Sequence, residues 1–183
     1  MKDLYGEIVL APPVEVMDFL FVGSQYNFER DGQIFEDRSY QNWESDLWRI
    51  LHATNEPYHR EFVGYTDRWA PPGPEQFYAI RGHRMALNLD DATDPEHICF
   101  ECVDAGVKWI RGGLEAGKAM FCHCNMGVSR SPSIAMVTMA SLGELSHDIS
   151  EARAEFKQRY DRFLPGQGMS LFVERNWERL INS

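Results

Sequence analysis

Apolar and polar positions along this chain repeat with the period of a strand in some segments and with that of a helix in others. Short apolar runs predict strands over residues 19–22, ended by Gly23, and over residues 118–122. In RMALNLDD, residues 84–91, apolar side chains stand at every second position, as in a strand with one buried face. Strands that alternate with helical segments predict an α/β fold, a sandwich with a mainly parallel central sheet flanked by helices.

A helix is predicted over residues 41–51, YQNWESDLWRI, because its apolar residues share one helical face. That face consists of Trp43, Leu47, Trp48 and Leu51. Further helices are predicted over residues 131–142, which are apolar, and over residues 150–160, which are charged and amphipathic. The proline-rich segment TDRWAPPGPEQF, residues 66–77, predicts the one long loop.

The segment TDPEH predicts the start of another helix. Asp94 is suited to the N-cap position and Pro95 to the first helical position. We expect this helix to loosen at Gly112 and Gly113. The residues predicted to face inward are Ile98, Cys102, Val103, Val107 and Ile110.

The composition fits a single globular domain over residues 1–183, with 44% apolar and 13% aromatic residues. The formal net charge is -10, and an acidic surface repels nucleic acid and anionic lipid, so we expect neither as a partner. No apolar run is long enough to span a membrane, and Asp3 and Glu7 interrupt the first apolar residues. We therefore expect no transmembrane helix, no signal peptide and a cytoplasmic location.

Four cysteines lie close together in the middle of the chain, at Cys99, Cys102, Cys122 and Cys124. A disulfide-stapled secreted domain is usually shorter and spreads its cysteines more widely. The C-F-E-C segment has the ligand spacing of a zinc site, whereas C-H-C lacks the usual C-x-x-C pattern, so zinc is one alternative. Packing in the core is the other explanation for a free thiol.

The segment FCHCNMGVSRSPS, residues 121–133, carries the clearest chemistry. A strand, a tight loop and a helix N-terminus form the geometry that binds phosphate, because backbone N–H groups and the helix dipole meet at one point. Gly127 suits such a loop, and the planar guanidinium of Arg130 can bind two phosphate oxygens. The dipole and the guanidinium would favour the thiolate of Cys124. This arrangement predicts phosphoryl transfer to cysteine without a metal or cofactor.

Two other interpretations of this loop are weaker. The phosphate loop of nucleotide hydrolases requires G-x-x-x-x-G-K-[ST], which the chain lacks. Cys124 as an inert core thiol does not explain the adjoining histidine, glycine, arginine and serine.

The segment HCNMGVSRS, residues 123–131, resembles the H-C-x-x-G-x-x-R-[ST] signature of the cysteine-dependent protein tyrosine phosphatases. Its S-R-S ending resembles the dual-specificity branch. FLFVGS, RILHATNEP and ISEARAEFKQRYDRFLPGQGM resemble the opening strand, the next strand and the closing helices of that catalytic domain. The resemblance covers most of residues 15–175, strongly at the loop and loosely elsewhere. Two features depart from the family. Met126 replaces the alanine that is most common at its position. Segment 66–77 has no obvious counterpart, and this second departure leaves substrate choice open.

The resemblance implies roles for individual residues. Cys124 is the nucleophile, Arg130 clamps the phosphate, and Ser131 helps the thiolate leave when water attacks the phosphocysteine; Ser131 also suits the helix N-cap. His123 holds the loop and tunes the thiol. The phosphate-binding loop consists of Asn125, Met126, Gly127, Val128, Ser129 and Arg130, which contribute mainly backbone N–H groups.

The family also uses an aspartate about thirty residues before the cysteine to protonate the leaving group. Asp91 matches that position best, Asp90 is second, and Asp94 is better explained as a helix cap. Arg159 and Arg162 could attract a phosphorylated substrate, although solvated helix ends explain them as well.

The resemblance implies a phosphorylated protein substrate, with phosphotyrosine and also phosphoserine or phosphothreonine. Relatives that act on inositol lipids or RNA ends usually carry basic residues in the loop, where this chain has Asn, Met, Val and Ser. A small-molecule, lipid or RNA phosphatase of the same mechanism and a catalytically silent phosphopeptide-binding module remain alternatives. A reactive Cys124 also predicts oxidation by peroxide, with Cys122, Cys99 or Cys102 as candidate disulfide partners.

Overall fold

The computed structural model describes residues 11–29 and 46–183 of the chain. In these residues six strands form one sheet in the order β1-β2-β6-β3-β5-β4. The four central strands are parallel, and the two edge strands pair antiparallel with their neighbours. The strands are β1 (Val14–Met17), β2 (Leu20–Ser24), β3 (Trp48–His52), β4 (Tyr78–Arg81), β5 (Arg84–Leu87) and β6 (Ala119–Cys124).

Helices lie on both faces of this sheet: the long helices pack against the large core on one face, and Phe28 of the short helix after β2 packs against the smaller cluster on the other. The helices are α1 (Gln25–Glu29), α2 (Arg60–Val63), α3 (Phe100–Glu115), α4 (Arg130–Ser141), α5 (Ile149–Arg159) and α6 (Gln167–Ile181). Helix α4 lies between α3 and α6 and packs on β2 and β6, so it is buried along almost its whole length. None of the helices in residues 11–29 and 46–183 combines the length and the hydrophobicity that a transmembrane span requires.

The central strands separate two clusters of buried side chains. Leu20, Leu51 and Met120 belong to the large core beneath the helices. Phe21, Trp48, Ile50 and Phe121 form a smaller cluster on the opposite face. The predicted α/β sandwich with a mainly parallel central sheet is therefore confirmed.

The predicted helix over residues 41–51 is wrong where the structure describes it. Residues 48–52 form the parallel strand β3, and residues 41–45 lie outside the described residues. Trp48 and Ile50 face one cluster while Leu51 faces the other, because a central parallel strand is buried on both faces. Such a strand shows a continuous apolar run, and periodicity alone cannot distinguish that run from a buried helix.

Three smaller predictions need correction. Gly23 does not end β2, which continues to Ser24. The Asp94 side chain accepts a hydrogen bond from the Glu96 N–H, as predicted for a cap, but it caps a 3-10 turn that precedes α3. Helix α3 does not loosen at its two glycines; a side chain at Gly113 would collide with Met120, so this glycine allows close packing of helix on sheet.

Candidate active site

The loop after Cys124 joins the end of β6 to the start of α4. Strand β6 lies between β2 and β3, so the loop emerges at the carboxyl edge of the parallel strands. Gly127 has φ +73, and a Cβ atom there would lie 2.6 Å from the backbone carbonyl of Gly23. Only glycine fits this backbone, which explains the glycine in the motif.

The guanidinium of Arg130 is buried and fixed by three acceptors. Its Nη1 donates to Thr54 Oγ1 at 3.1 Å and to the Leu89 carbonyl at 3.0 Å. Its Nη2 donates to Asn125 Oδ1 at 2.5 Å. These contacts hold the guanidinium plane in place from three different loops, which is the preorganisation that binding of an oxyanion requires.

One donor of this guanidinium is not used. The Nε of Arg130 is buried and has no hydrogen-bond partner among the described residues. The Asp91 Oδ2 atom is 3.9 Å away, which is too far for a hydrogen bond. A buried N–H without an acceptor is costly, and an anion held by the loop would satisfy it.

Cys124 lies beside the hydroxyl of Ser131. The Ser131 Oγ is 3.3 Å from Cys124 Sγ and can donate a hydrogen bond to it. Cys124 is buried with 2% of its surface exposed, at the base of the loop. Ser131 is the second residue of α4, and its hydroxyl is bonded to the sulfur and close to the Gly23 carbonyl rather than capping the helix.

Asn125 has a larger role than a backbone N–H donor. Its Oδ1 accepts from Arg130 and from the Thr54 hydroxyl at 3.0 Å, while its Nδ2 donates to Gln25 Oε1 at 2.8 Å. The side chain therefore ties the loop to the segments that follow β2 and β3. Sequence reasoning missed Thr54 and Gln25, because both are ordinary polar residues far from the motif in sequence.

Asp91 is directed at the loop and Asp90 is not. The Ser129 hydroxyl donates to Asp91 Oδ1 at 3.0 Å, and the same hydroxyl accepts from the Gly166 N–H at 3.0 Å. Asp90 instead accepts from the backbone N–H of Asp91 at 2.9 Å. Of the two candidates left by the sequence, only Asp91 has contacts that place it beside Arg130.

His123 belongs to a chain of hydrogen bonds beneath the loop. Arg84 Nε donates to His52 Nε2 at 2.9 Å, so the proton of a neutral His52 lies on Nδ1, which donates to His123 Nε2 at 2.6 Å. Burial lowers the pKa of His123 to about 3 and lowers that of His52 as well. Both rings are therefore uncharged at neutral pH, and this supports the predicted structural role of His123.

The remaining loop residues are supported by the segment after α5. Tyr160 donates from its hydroxyl to the Gly127 carbonyl at 2.7 Å, and the Leu164 N–H donates to the Val128 carbonyl at 2.9 Å. Met126 is half-buried in the loop.

The two arginines proposed to attract substrate have other partners. Arg159 donates to the Glu144 carbonyl, and Arg162 donates to the Pro12 carbonyl.

The four cysteines do not come together. Cys122 contacts the Ser131 carbonyl at 3.6 Å, whereas Cys102 contacts the Phe77 carbonyl at 3.1 Å, and all four thiols are free. Nowhere in residues 11–29 and 46–183 do three His, Cys, Asp or Glu side chains converge as a metal site requires. The alternative of a shared zinc site has no donor set in these residues.

Comparison with known proteins gives the fold. A leucine rich repeat and phosphatase domain containing protein from Entamoeba histolytica matches with a TM-score of 0.61 and 14% identity, over 94% of this chain and 96% of that one. Human DUSP28 matches with a TM-score of 0.59 and 17% identity, over 94% and 97% of the two chains. The chain has the fold of a dual-specificity phosphatase. The human tyrosine phosphatase-like serine/threonine/tyrosine-interacting protein shares this fold, with a TM-score of 0.59, 15% identity, and 94% and 99% of the chains covered.

The dual-specificity phosphatase fold agrees with the resemblance drawn from residues 123–131. No protein-family model matches the sequence, and no curated protein matches it either. The match therefore rests on three-dimensional structure, and the chemistry of the site must be argued from its own residues.

Proposed function

We propose that this chain is a cysteine-dependent protein phosphatase that hydrolyses phosphotyrosine, and also phosphoserine or phosphothreonine. The observation that carries the proposal is the convergence of three groups on one loop: the Cys124 thiol, the Ser131 hydroxyl and the buried Arg130 guanidinium. The unused Nε donor of Arg130 supports an anionic substrate. The dual-specificity phosphatase fold supports the same reaction class.

In the first step the Cys124 thiolate attacks phosphorus, and the bond from phosphorus to the substrate oxygen breaks. Asp91, as the carboxylic acid, donates its proton to that leaving oxygen. The guanidinium of Arg130 and the loop N–H groups stabilise the charge that develops on the transferred phosphoryl oxygens. The Ser129 hydroxyl fixes Asp91 through its 3.0 Å hydrogen bond, so the acid is positioned before substrate arrives.

In the second step a water molecule attacks the phosphocysteine. Asp91, now a carboxylate, takes a proton from that water, and the bond between sulfur and phosphorus breaks. The sulfur leaves as a thiolate, which accepts the hydrogen bond from Ser131 at the 3.3 Å separation seen here. Neither of these two steps requires a metal ion.

A phosphoprotein is the proposed substrate class, because the loop offers no basic side chain other than Arg130 and the chain carries a formal net charge of -10. Polyanionic lipid and nucleic acid bind sites with several cations. We also propose that the chain is one catalytic domain over residues 1–183, and that it acts in the cytoplasm. Free thiols at all four cysteines support that location.

Turnover of phosphopeptides and of an aryl phosphate by the purified chain tests the proposal. We expect phosphate release from phosphotyrosine peptides by the wild type, and by Cys99→Ser as the matched cysteine control, but none by Cys124→Ser. Chelators should leave the rate unchanged. Binding of phosphopeptide without turnover in the wild type would support a catalytically silent phosphopeptide-binding module instead. Faster turnover of a phosphoinositide or of an RNA end would show that the substrate is not a phosphoprotein.

A further inference from the structure

The C-F-E-C segment places two cysteines at the start of a long helix. Cys99 is the residue that precedes α3, with an extended backbone, and its carbonyl accepts from the Val103 N–H at 3.4 Å. Cys102 lies in the first turn of this 16-residue helix. As residues i and i+3 at the start of one helix, the two cysteines are neighbours on its surface. Cysteines three positions apart across a helix N-terminus have the arrangement of redox-active C-x-x-C pairs.

The two thiols differ in exposure and in hydrogen bonding. Cys99 is partly exposed, and its Sγ donates to Glu101 Oε2 at 3.1 Å. Cys102 is fully buried, and its Sγ lies 3.1 Å from the Phe77 carbonyl and 3.4 Å from the Asn88 carbonyl. This is the asymmetry of an attacking thiol at the surface and a resolving thiol beneath it.

The ionisation of the two thiols has the matching asymmetry. The hydrogen bond with the Cys102 side chain lowers the pKa of Cys99, against the opposing effect of burial. The same hydrogen bond, and then burial, raise the pKa of Cys102. Cys99 is therefore the thiol that ionises first.

We propose that Cys99 and Cys102 form a second, redox-active site that exchanges with small-molecule disulfides such as oxidised glutathione. The Cys99 thiolate attacks one sulfur of the disulfide, which forms a mixed disulfide and releases one small thiol. Cys102 then loses its proton to the second leaving thiolate and attacks Cys99 Sγ. The products are an intramolecular Cys99–Cys102 disulfide and two small thiols, so the chain gives up two electrons and the oxidant accepts them.

The disulfide would act on the segment that carries Asp91. The Cys102 S–H is a donor to the Phe77 and Asn88 carbonyls, and a disulfide has no such hydrogen. Asn88 precedes Leu89, whose carbonyl accepts from Arg130. Oxidation therefore removes a restraint on the segment that leads to the acid and the phosphate-binding arginine. This consequence for catalysis rests on the proposed function, whereas the redox chemistry of the pair does not.

Mass spectrometry after equilibration with reduced and oxidised glutathione tests the site. Cys124→Ser is the starting protein, so that the proposed nucleophile does not react. After acid quenching, alkylation and digestion, we expect the peptide that contains both cysteines to be lighter by two hydrogen atoms. The additional Cys102→Ser substitution should trap the glutathione adduct on Cys99, and the additional Cys99→Ser substitution should leave Cys102 unmodified.

Two results would overturn the proposal. One is a Cys99 that forms only the glutathione adduct while Cys102 stays a free thiol at every glutathione ratio. The other is equal reactivity of the two cysteines in the single variants. Hydrogen exchange of segment 77–91 in oxidised and reduced protein tests the coupling without any activity measurement: faster exchange on oxidation is expected, and unchanged exchange would contradict the link to Asp91. If the Cys99–Cys102 disulfide forms but neither the oxidised nor the reduced protein is an active phosphatase, the proposed function is refuted and the redox site is not.

Discussion

The buried pair of His52 and His123 makes the stability of this protein dependent on pH. The pKa of His123 is lowered by burial from 6.5 to about 3, so the unfolded chain takes up a proton below pH 6.5 while the folded chain does not. Stability is then fully present above that value and is lost as pH falls toward 3. Each pKa unit corresponds to 1.36 kcal/mol, and pH 5 lies about 1.5 units below the unfolded value, so His123 alone should remove about 2 kcal/mol by pH 5.

The substitution His123→Gln tests this magnitude. The glutamine carboxamide oxygen can still accept from His52 Nδ1, but it cannot titrate. Urea unfolding followed by tryptophan fluorescence, at pH 8 and at pH 5, gives the free energy of unfolding of each protein. Between these two pH values the wild type should lose about 2 kcal/mol more than His123→Gln.

The exposed His97 provides the matched control, because His97→Gln should keep the pH dependence of the wild type. Equal losses of stability in wild type and His123→Gln would refute the low pKa of His123, since a histidine that stays neutral in the folded chain must lower the free energy of unfolding as the unfolded chain takes up its proton.

Three further predictions concern the candidate active site. Asp91→Asn should slow turnover of phosphopeptides by about 10²–10⁴-fold and of an activated aryl phosphate much less, whereas Asp90→Asn should do neither; the reverse pattern in steady-state kinetics would exchange the two assignments. Arg130→Lys keeps the charge but loses the fork, so kcat/KM should fall by about 10²–10³-fold, and a value within a few-fold of wild type would show that Arg130 is not the clamp. Gly127→Ala should lower the free energy of unfolding by more than the ~1–2 kcal/mol that a left-handed alanine costs, because its Cβ atom would collide with the backbone of Gly23. Gly143→Ala is the control, because Gly143 also has a positive φ, +77, but no atom lies near its Cβ position. Equal losses of stability for the two variants in urea unfolding would contradict the clash at Gly127.

The loop could be predicted from sequence because its chemistry is local. The strand, the positive-φ glycine and the helix start follow one another within residues 119–141, and each has its own residue signal. Asp91 was reached only through the family resemblance, and the hydrogen bond from Ser129 that favours Asp91 over Asp90 joins segments too distant in sequence to predict.

The rest of the site depends on contacts between distant segments. Thr54 and Leu89 contact Arg130 because the segments after β3 and β5 lie at the same edge of the sheet. Residue spacing in the sequence does not predict which segments meet at that edge. His52 escaped notice for the same reason, since no sequence pattern indicates that its side chain meets His123 across the sheet. A strand buried on both faces has no alternation, so its direction and its partners become visible only when the sheet is assembled.

In the proposed mechanism Cys124 carries the phosphoryl group during turnover. Ser131→Ala removes the hydroxyl that donates to the departing sulfur, so it should slow the second step and allow the intermediate to accumulate. The measurement is mass spectrometry of the acid-quenched Ser131→Ala variant during turnover of an aryl phosphate. We expect one phosphoryl group on the Cys124 peptide, absent when Cys124→Ser is added. Turnover with Cys124 unmodified in every quenched sample would contradict a phosphocysteine intermediate.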